Sequence, residues 1–182
     1  LSTLTKHKKT CVIWIDAHSD INTYKSSNSK NMHGMPLSII TGLEDKWKWV
    51  NSMPHLKFED LYYFCIRDCD DFEIQIIKKQ KIKILRDIDH VKSVMKEYDT
   101  IHISFDVDAL DPQYMQSTGT PVENGIELEE IINLFQYIAF KETKPVNLDI
   151  VEFNPCIGTL TEKQNSLNNM NQIISSLFVC SN

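Results

Sequence analysis

In the stretch CVIWIDAHSDIN, Cys11 to Asn22, a largely apolar run ends at Asp16, and Asp16, His18 and Asp20 then occupy every second position. Alternate residues of extended backbone face the same way, so two carboxylates and an imidazole share one side at the mouth of a buried strand. The segment SFDVDALDP repeats the alternation with Asp106 and Asp108. Carboxylates gathered without a compensating Lys or Arg repel one another in a low-dielectric cleft, and burying even one unpaired charge is expensive. A cation is required to hold them together. Oxygen-rich ligation with an imidazole suits Mn²⁺ or a similar borderline metal, whereas structural zinc calls for thiolates. An aspartate after a strand is also a common helix N-cap or turn residue. The conjunction of two alternating sets, each at the end of an expected strand, selects the metal reading.

The elements that must position these side chains are short β-type runs at 11–15, 61–66, 82–85, 101–105 and 146–151. Between them, residues 35–47, 70–80, 87–98 and 126–140 carry apolar spacing near 3.6, and an amphipathic segment from Thr161 to Val179 follows the last strand. Strands alternating with helices predict a parallel sheet covered on both faces. Such sheets bind ligands in the crevice outside the carboxyl ends of their strands. The runs ending at Asp16, Asp106 and Glu152 therefore bring three acidic clusters to one edge.

The 182 residues suit a single domain, and no apolar run approaches the length of a membrane span. A formal charge of −6 without a long basic stripe argues against nucleic acid as a partner. Lys78, Lys79, Lys81 and Lys83 read as a solvated helix end. Five cysteines, Cys11, Cys65, Cys69, Cys156 and Cys180, lie far apart without CxxC spacing, which reads as reduced, core-type cysteine in a cytosolic protein.

The motifs DAHSDIN, NMHGMP, SFDVDALDP, TGTPVENG and DIVEFNP, in that order, resemble arginase within the ureohydrolase family. The resemblance implies a three-layer αβα fold with a mostly parallel sheet, of the arginase/deacetylase type. It also implies two Mn²⁺ ions per subunit, which activate water to cleave the guanidinium of L-arginine into L-ornithine and urea. By that likeness Asp16 and Asp106 bridge the metals, His18 and Asp108 complete one ion's site, and Asp20 binds the other. Asp20 also carries a proton between nucleophile and leaving nitrogen. Glu152 supplies the opposite charge for the guanidinium in the bidentate geometry such groups favour. His33, beside the turn residues Gly34 and Pro36, is the proton shuttle, a task suited to an imidazole, and Thr120 lies near the guanidinium. Asn22, Ser29 and Asn31 resemble the segment that hydrogen-bonds an α-carboxylate. Asp70 and Glu73 match the positions facing the α-amino group, and the same acids suit the first turn of a helix.

Two features of the family pattern are not found between Leu1 and Asn182. The Gly-Gly-Asp-His-Ser motif, whose His completes the more weakly held metal site, would precede Leu1, as would the first elements of the sheet. These residues are thus expected to form the C-terminal two-thirds of one ureohydrolase domain spanning 1–182, with one metal site short of its His, an unpaired sheet edge and little stability or activity alone. The C-terminal extension that helps arginases form trimers is also missing, so a homotrimer is implied by the family only. The alternatives are another ureohydrolase, such as an agmatinase or guanidino-acid hydrolase, or a non-catalytic arginase-like regulatory or binding protein. A zinc deacetylase on the related fold would not need Asp20, His33 and the Asn22 pocket together.

Overall fold

The computed structural model describes residues 8–47 and 54–178. Cys180 and the expected helix end at Val179 lie outside the described residues. Five strands, β1 (Thr10–Ile15), β2 (Leu61–Phe64), β3 (Lys83–Leu85), β4 (Thr100–Asp106) and β5 (Val146–Val151), form one sheet in the order β3-β2-β1-β4-β5. Every neighbouring pair is parallel. Among the described residues five α-helices, α1 (Pro36–Ile40), α2 (Asp71–Gln80), α3 (Ile88–Lys96), α4 (Leu128–Phe140) and α5 (Leu160–Ser176), flank it.

The strands form where β-branched and aromatic residues run together, and alternation sends their side chains to two cores. Cys11, Ile13 and Ile15 of β1 join Ile101, Ile103 and Phe105 of β4 against Val91 and Met95 of α3, Leu134 and Phe135 of α4 and Ile173 of α5. Phe105 meets Phe135 edge to face at 5.4 Å. On the other face Val12, Leu61 and Tyr63 pack against Leu37 of α1 and Ile76 and Ile77 of α2. That second core contains no side chain of β4 or β5, and Asn147, Asp149 and Val151 are exposed. Among the described residues the expected cover on both faces is therefore complete over β1 and β2 only.

Helix ends follow local chemistry. The Asp70 side chain accepts from the Glu73 N–H while Glu73 reaches back to the Asp70 N–H, a reciprocal cap that starts α2. Thr159 and Glu162 do the same for α5. Lys78 and Lys79 end α2 beside Lys81, all exposed, as a solvated helix end requires, but Lys83, expected with them, is exposed on β3. The helix expected over 35–47 is corrected: α1 stops at Ile40. Thr41 Oγ1 donates to the Leu37 carbonyl at 2.7 Å, and Gly42 turns to a φ of +74° with the His55 ring lying where a Cβ would be. Apolar spacing there reflects a turn packed on the core, which periodicity alone does not separate from a helix. The cysteine reading holds for buried Cys11 but not for Cys156, which is exposed; Cys65 and Cys69 are half-buried, and all four are free thiols.

The register fixes the working edge. Ile15 pairs with both Phe64 and Phe105, and Asp106 pairs with Val151, so Asp16, Asp106 and Glu152 leave the sheet on adjoining strands. The segment after β4 is anchored where Gly125 passes the 110–111 backbone: a Cβ on Gly125 would lie 2.3 Å from the Asp111 nitrogen and 2.4 Å from the Leu110 carbonyl carbon. Gly125→Ala should cost about 2 kcal/mol or more of stability, while Gly119→Ala, with open space around it, should change little. Urea denaturation of both variants checks this, and equal stability would contradict the close approach.

Candidate metal and substrate site

Asp16, His18 and Asp108 form the centre of the site. Each can offer one ligand atom such that all of these atoms lie within 4.8 Å of one another. Asp16 and Asp108 are almost completely buried. His18 Nδ1 stands 3.1 Å from Asp108 Oδ2 and 3.4 Å from Asp16 Oδ1, and its Nε2 is 3.9 Å from exposed Asp68. Backbone amides hold the carboxylates: His18 N–H donates to Asp16 at 2.6 Å, Ala17 N–H to Asp108 at 3.1 Å and Asp108 N–H to Asp106 at 2.8 Å. Thr120 Oγ1 donates to Asp108 Oδ2 at 3.1 Å.

Asp20 and Asp106 stand outside that three-residue group but line the same cleft, a cavity of about 350 Å³ that also borders His18, Asn22, His33, Glu73, Asp108, Thr120 and Glu152. Two of these acids need unusual backbone. Asp20 has a φ of +50° and Glu152 of +64°, conformations that L-residues adopt at a cost and that cluster at functional sites. In Asp20 the carbonyl accepts from Leu37 N–H at 3.0 Å, which fastens the loop to the start of α1.

The electrostatics express the crowding. Burial first, and the charge of Asp16 second, push Asp20 up to about 9 and, with Asp108 also contributing, Asp106 up to about 9. Burial likewise raises Asp16 to about 6 against the opposing hydrogen bond from His18. His18 is raised to about 10 by its hydrogen bonds to Asp108 and then Asp16. Burial would raise Asp108, but the His18 hydrogen bond and charge outweigh it and leave the carboxyl below its usual range. An imidazolium and protons on Asp20 and Asp106 thus do part of the neutralising that divalent cations would complete. The donors are carboxylate oxygens and one imidazole nitrogen with no thiolate, so they fit manganese.

The expected substrate residues divide. Asn22 and Asp70 are in direct contact, with Asn22 Nδ2 donating to Asp70 Oδ2 at 2.8 Å. Glu73 borders the cleft but is 6% exposed, and its two oxygens accept from Ile21 N–H at 3.2 Å and Asp70 N–H at 3.1 Å, so it builds the pocket wall. Ser29 and Asn31 are exposed on the same loop and are not among the residues bordering the cleft; Asn31 N–H donates to Ser29 Oγ at 3.3 Å.

Sequence reasoning passed over Arg67 and Asp68. Arg67 donates to the carbonyls of Asp108 at 2.8 Å, Val122 at 2.7 Å and Glu123 at 3.0 Å, tying the end of β2 to both loops that carry Asp108 and Thr120. Its signal was rarity, since Arg67 and Arg86 are the only arginines, but apart from the nearby Cys65 carbonyl the carbonyls it reaches are more than 40 residues away. Spent on carbonyls, Arg67 does not serve the acids as a partner.

The chain matches the arginase family model over residues 1–180. It belongs to the arginase family. Arginase from Coccidioides immitis is 41% identical over 170 residues, which span 84% of this chain and 52% of that protein. Arginase from Entamoeba histolytica is 38% identical over 181 residues, 92% of this chain and 58% of its own. A crystal structure of the Entamoeba histolytica arginase in complex with L-ornithine superposes with a TM-score of 0.79 at 35% identity, covering 97% of this chain and 62% of that one. Arginase from Bacillus subtilis gives the same TM-score at 29% identity, covering 97% and 66%. The fold is therefore the three-layer αβα arrangement of arginases, and the chain spans about half to two-thirds the length of these relatives.

The raised carboxyls set a pH dependence. Asp20 and Asp106 ionise near 4 when unfolded and near 9 when folded, so the folded protein binds more protons between those values. The stability these two groups contribute to chelator-treated protein should be fully present below about pH 4 and be lost as pH rises through about 9; His18, raised from 6.5 to about 10, adds in the same direction. Saturating Mn²⁺ should flatten or reverse the fall, since metal replaces the protons. Thermal unfolding across pH with and without Mn²⁺ checks this, and chelated protein gaining stability toward pH 9 would contradict it.

Proposed function

We propose that the protein acts as a manganese-dependent arginase, hydrolysing L-arginine to L-ornithine and urea. The observation that carries the reading is the convergence of Asp16, His18 and Asp108, with Asp20 and Asp106 on the same cleft, in a chain of the arginase family. These five residues would hold two Mn²⁺ ions. When bound, such metals lower the pKa of water toward 7 and so supply a nucleophile strong enough for a resonance-stabilised cation at neutral pH.

The protein's own residues do the rest. Glu152, turned into the cleft after β5 by its left-handed backbone, pairs with the guanidinium and sets its plane. Thr120, held on Asp108, lines the cleft beside that group. Asp20, as a carboxylate, would take the proton released by the attacking water and, as the carboxylic acid so formed, pass it to the leaving nitrogen. His33, exposed at the mouth of the cleft, exchanges protons with solvent. Asn22, on the cleft wall, reads the α-carboxylate; the family likeness assigns Ser29 and Asn31, farther out on the same loop, to that group too, and Asp70 with Glu73 to the α-ammonium. A homotrimer and a cytoplasmic location go with this reading as properties of the family; among the described residues no helix is long and apolar enough to cross a membrane.

The full reading frame, loaded with Mn²⁺, should release urea from L-arginine and far less from agmatine, which lacks the carboxylate. Asp106→Ala should lower kcat at least a thousandfold (about 4 kcal/mol). His33→Asn should lower kcat roughly tenfold or more with KM little changed. Urea from agmatine alone would move the assignment to another ureohydrolase, and none from either substrate would favour a binding or regulatory role.

A further inference from the structure

The end of the cleft assigned to the substrate's α-carbon depends on an amide whose two ends are chemically opposite. Asn22 can attract a carboxylate only if its NH₂, and not its carbonyl oxygen, faces the ligand. The polar valences of Asn22 are almost all committed. Its backbone N–H donates to the Gly34 carbonyl at 3.1 Å, and its backbone carbonyl accepts from Ser38 Oγ at 2.6 Å. On the side chain, Oδ1 accepts from Ser26 Oγ at 2.8 Å and Nδ2 donates one hydrogen to Asp70 Oδ2 at 2.8 Å. An amide nitrogen carries two hydrogens, so one N–H remains, and Asn22 borders the cleft. What the amide nitrogen still has to offer a ligand there is a donor, while the oxygen end is turned to Ser26.

We infer that Ser26 is a positioning residue for substrate specificity: its hydroxyl fixes the polarity of the Asn22 amide so that the pocket accepts a carboxylate. Ser26 is itself well fixed. Thr23 N–H donates to Ser26 Oγ at 2.9 Å, and Ser26 N–H donates to Thr23 Oγ1 at 3.1 Å, a closed turn within the loop. Ser26 Oγ also lies 3.0 Å from Thr23 Oγ1 and 3.3 Å from the Thr23 carbonyl, and its shortest contact, 2.8 Å, is to Asn22 Oδ1, to which it gives its hydrogen. A flipped amide would set Oδ1 against the Asp70 carboxylate, acceptor against acceptor. Two partners thus agree on one orientation, but Asp70 is not a constant one. Its charge answers to the ligand's ammonium, and its other oxygen already holds the Glu73 N–H at 3.1 Å. Ser26 faces no ligand charge and keeps its grip when Asp70 is engaged.

This inference rests on the reading of the cleft as an L-arginine site, and the test separates the two. Ser26→Ala in the Mn²⁺-loaded full-length protein should raise KM for L-arginine roughly fivefold, the worth of one net hydrogen bond, with kcat within about twofold. Ser26→Thr, which restores the hydroxyl, should return KM close to the parent value. In an Asn22→Ala background Ser26→Ala should add nothing further, because the residue acts through Asn22. Calorimetry should show affinity for L-ornithine falling by the same factor while affinity for 1,4-diaminobutane, which lacks only the carboxylate, is unchanged. Equal losses for both ligands, or an undiminished effect in the Asn22→Ala background, would overturn the inference. Parent protein that binds L-ornithine but releases no urea would refute the reaction and not the role of Ser26, which the ornithine and diamine affinities would then decide.

Discussion

Four aspartates, Asp16, Asp20, Asp106 and Asp108, meet at the carboxyl ends of two adjacent strands, and most of the molecule is arranged around the problem that creates. Asp16 and Asp108 are as buried as the aliphatic core, a position in which uncompensated charge is severely unfavourable. The chain supplies partial remedies: amide donors to three of the carboxylates, one imidazole between two of them, and protons retained on those least well served. Without metal that balance is lost as pH rises through about 9. The arrangement makes physical sense as a cradle for divalent cations whose chemistry needs several anionic oxygens at once.

The sheet makes the gathering possible at low cost. Parallel register places the last residues of β1, β4 and β5 side by side, so the acids converge without any strand departing from regular geometry. Departures begin one step later, where Asp20 and Glu152 adopt left-handed backbone and the 118–125 loop folds against Asp108. Arg67 binds that loop and the Asp108 segment to the end of β2 through their carbonyls. A positive side chain thus lies close to the acids yet serves the backbone, which leaves the acids dependent on cations from outside.

Much of the fold was legible because parallel strands are written locally. Five apolar runs rich in Ile, Val, Phe and Tyr gave the five strands to within two residues at each end, and alternation with amphipathic stretches gave the layering. Where the reading failed, the deciding contact was distant. Residues 41–47 leave the helix where Gly42 takes a left-handed backbone beside the His55 ring, and among the described residues no side chain of β4 or β5 joins the second core, which the spacing of β5 alone does not show. The site divides in the same way. Asp16, His18 and Asp108 announce themselves by alternation, and Asp70 and Glu73 by their match to the family pattern and as acids of a first helix turn. The bond between Asn22 and Asp70, the double amide grip on Glu73 and the reach of Arg67 join residues dozens of positions apart and had no local signature.

The claim that these carboxylates coexist by binding divalent metal is tested most directly by anomalous diffraction at the manganese edge from crystals of the complete reading frame grown with Mn²⁺. The account predicts anomalous peaks bonded to Asp16, His18 and Asp108 and to Asp20 and Asp106. Ordered density with no peak in the cleft, or with Asp16 and Asp108 turned to unrelated partners, would contradict it.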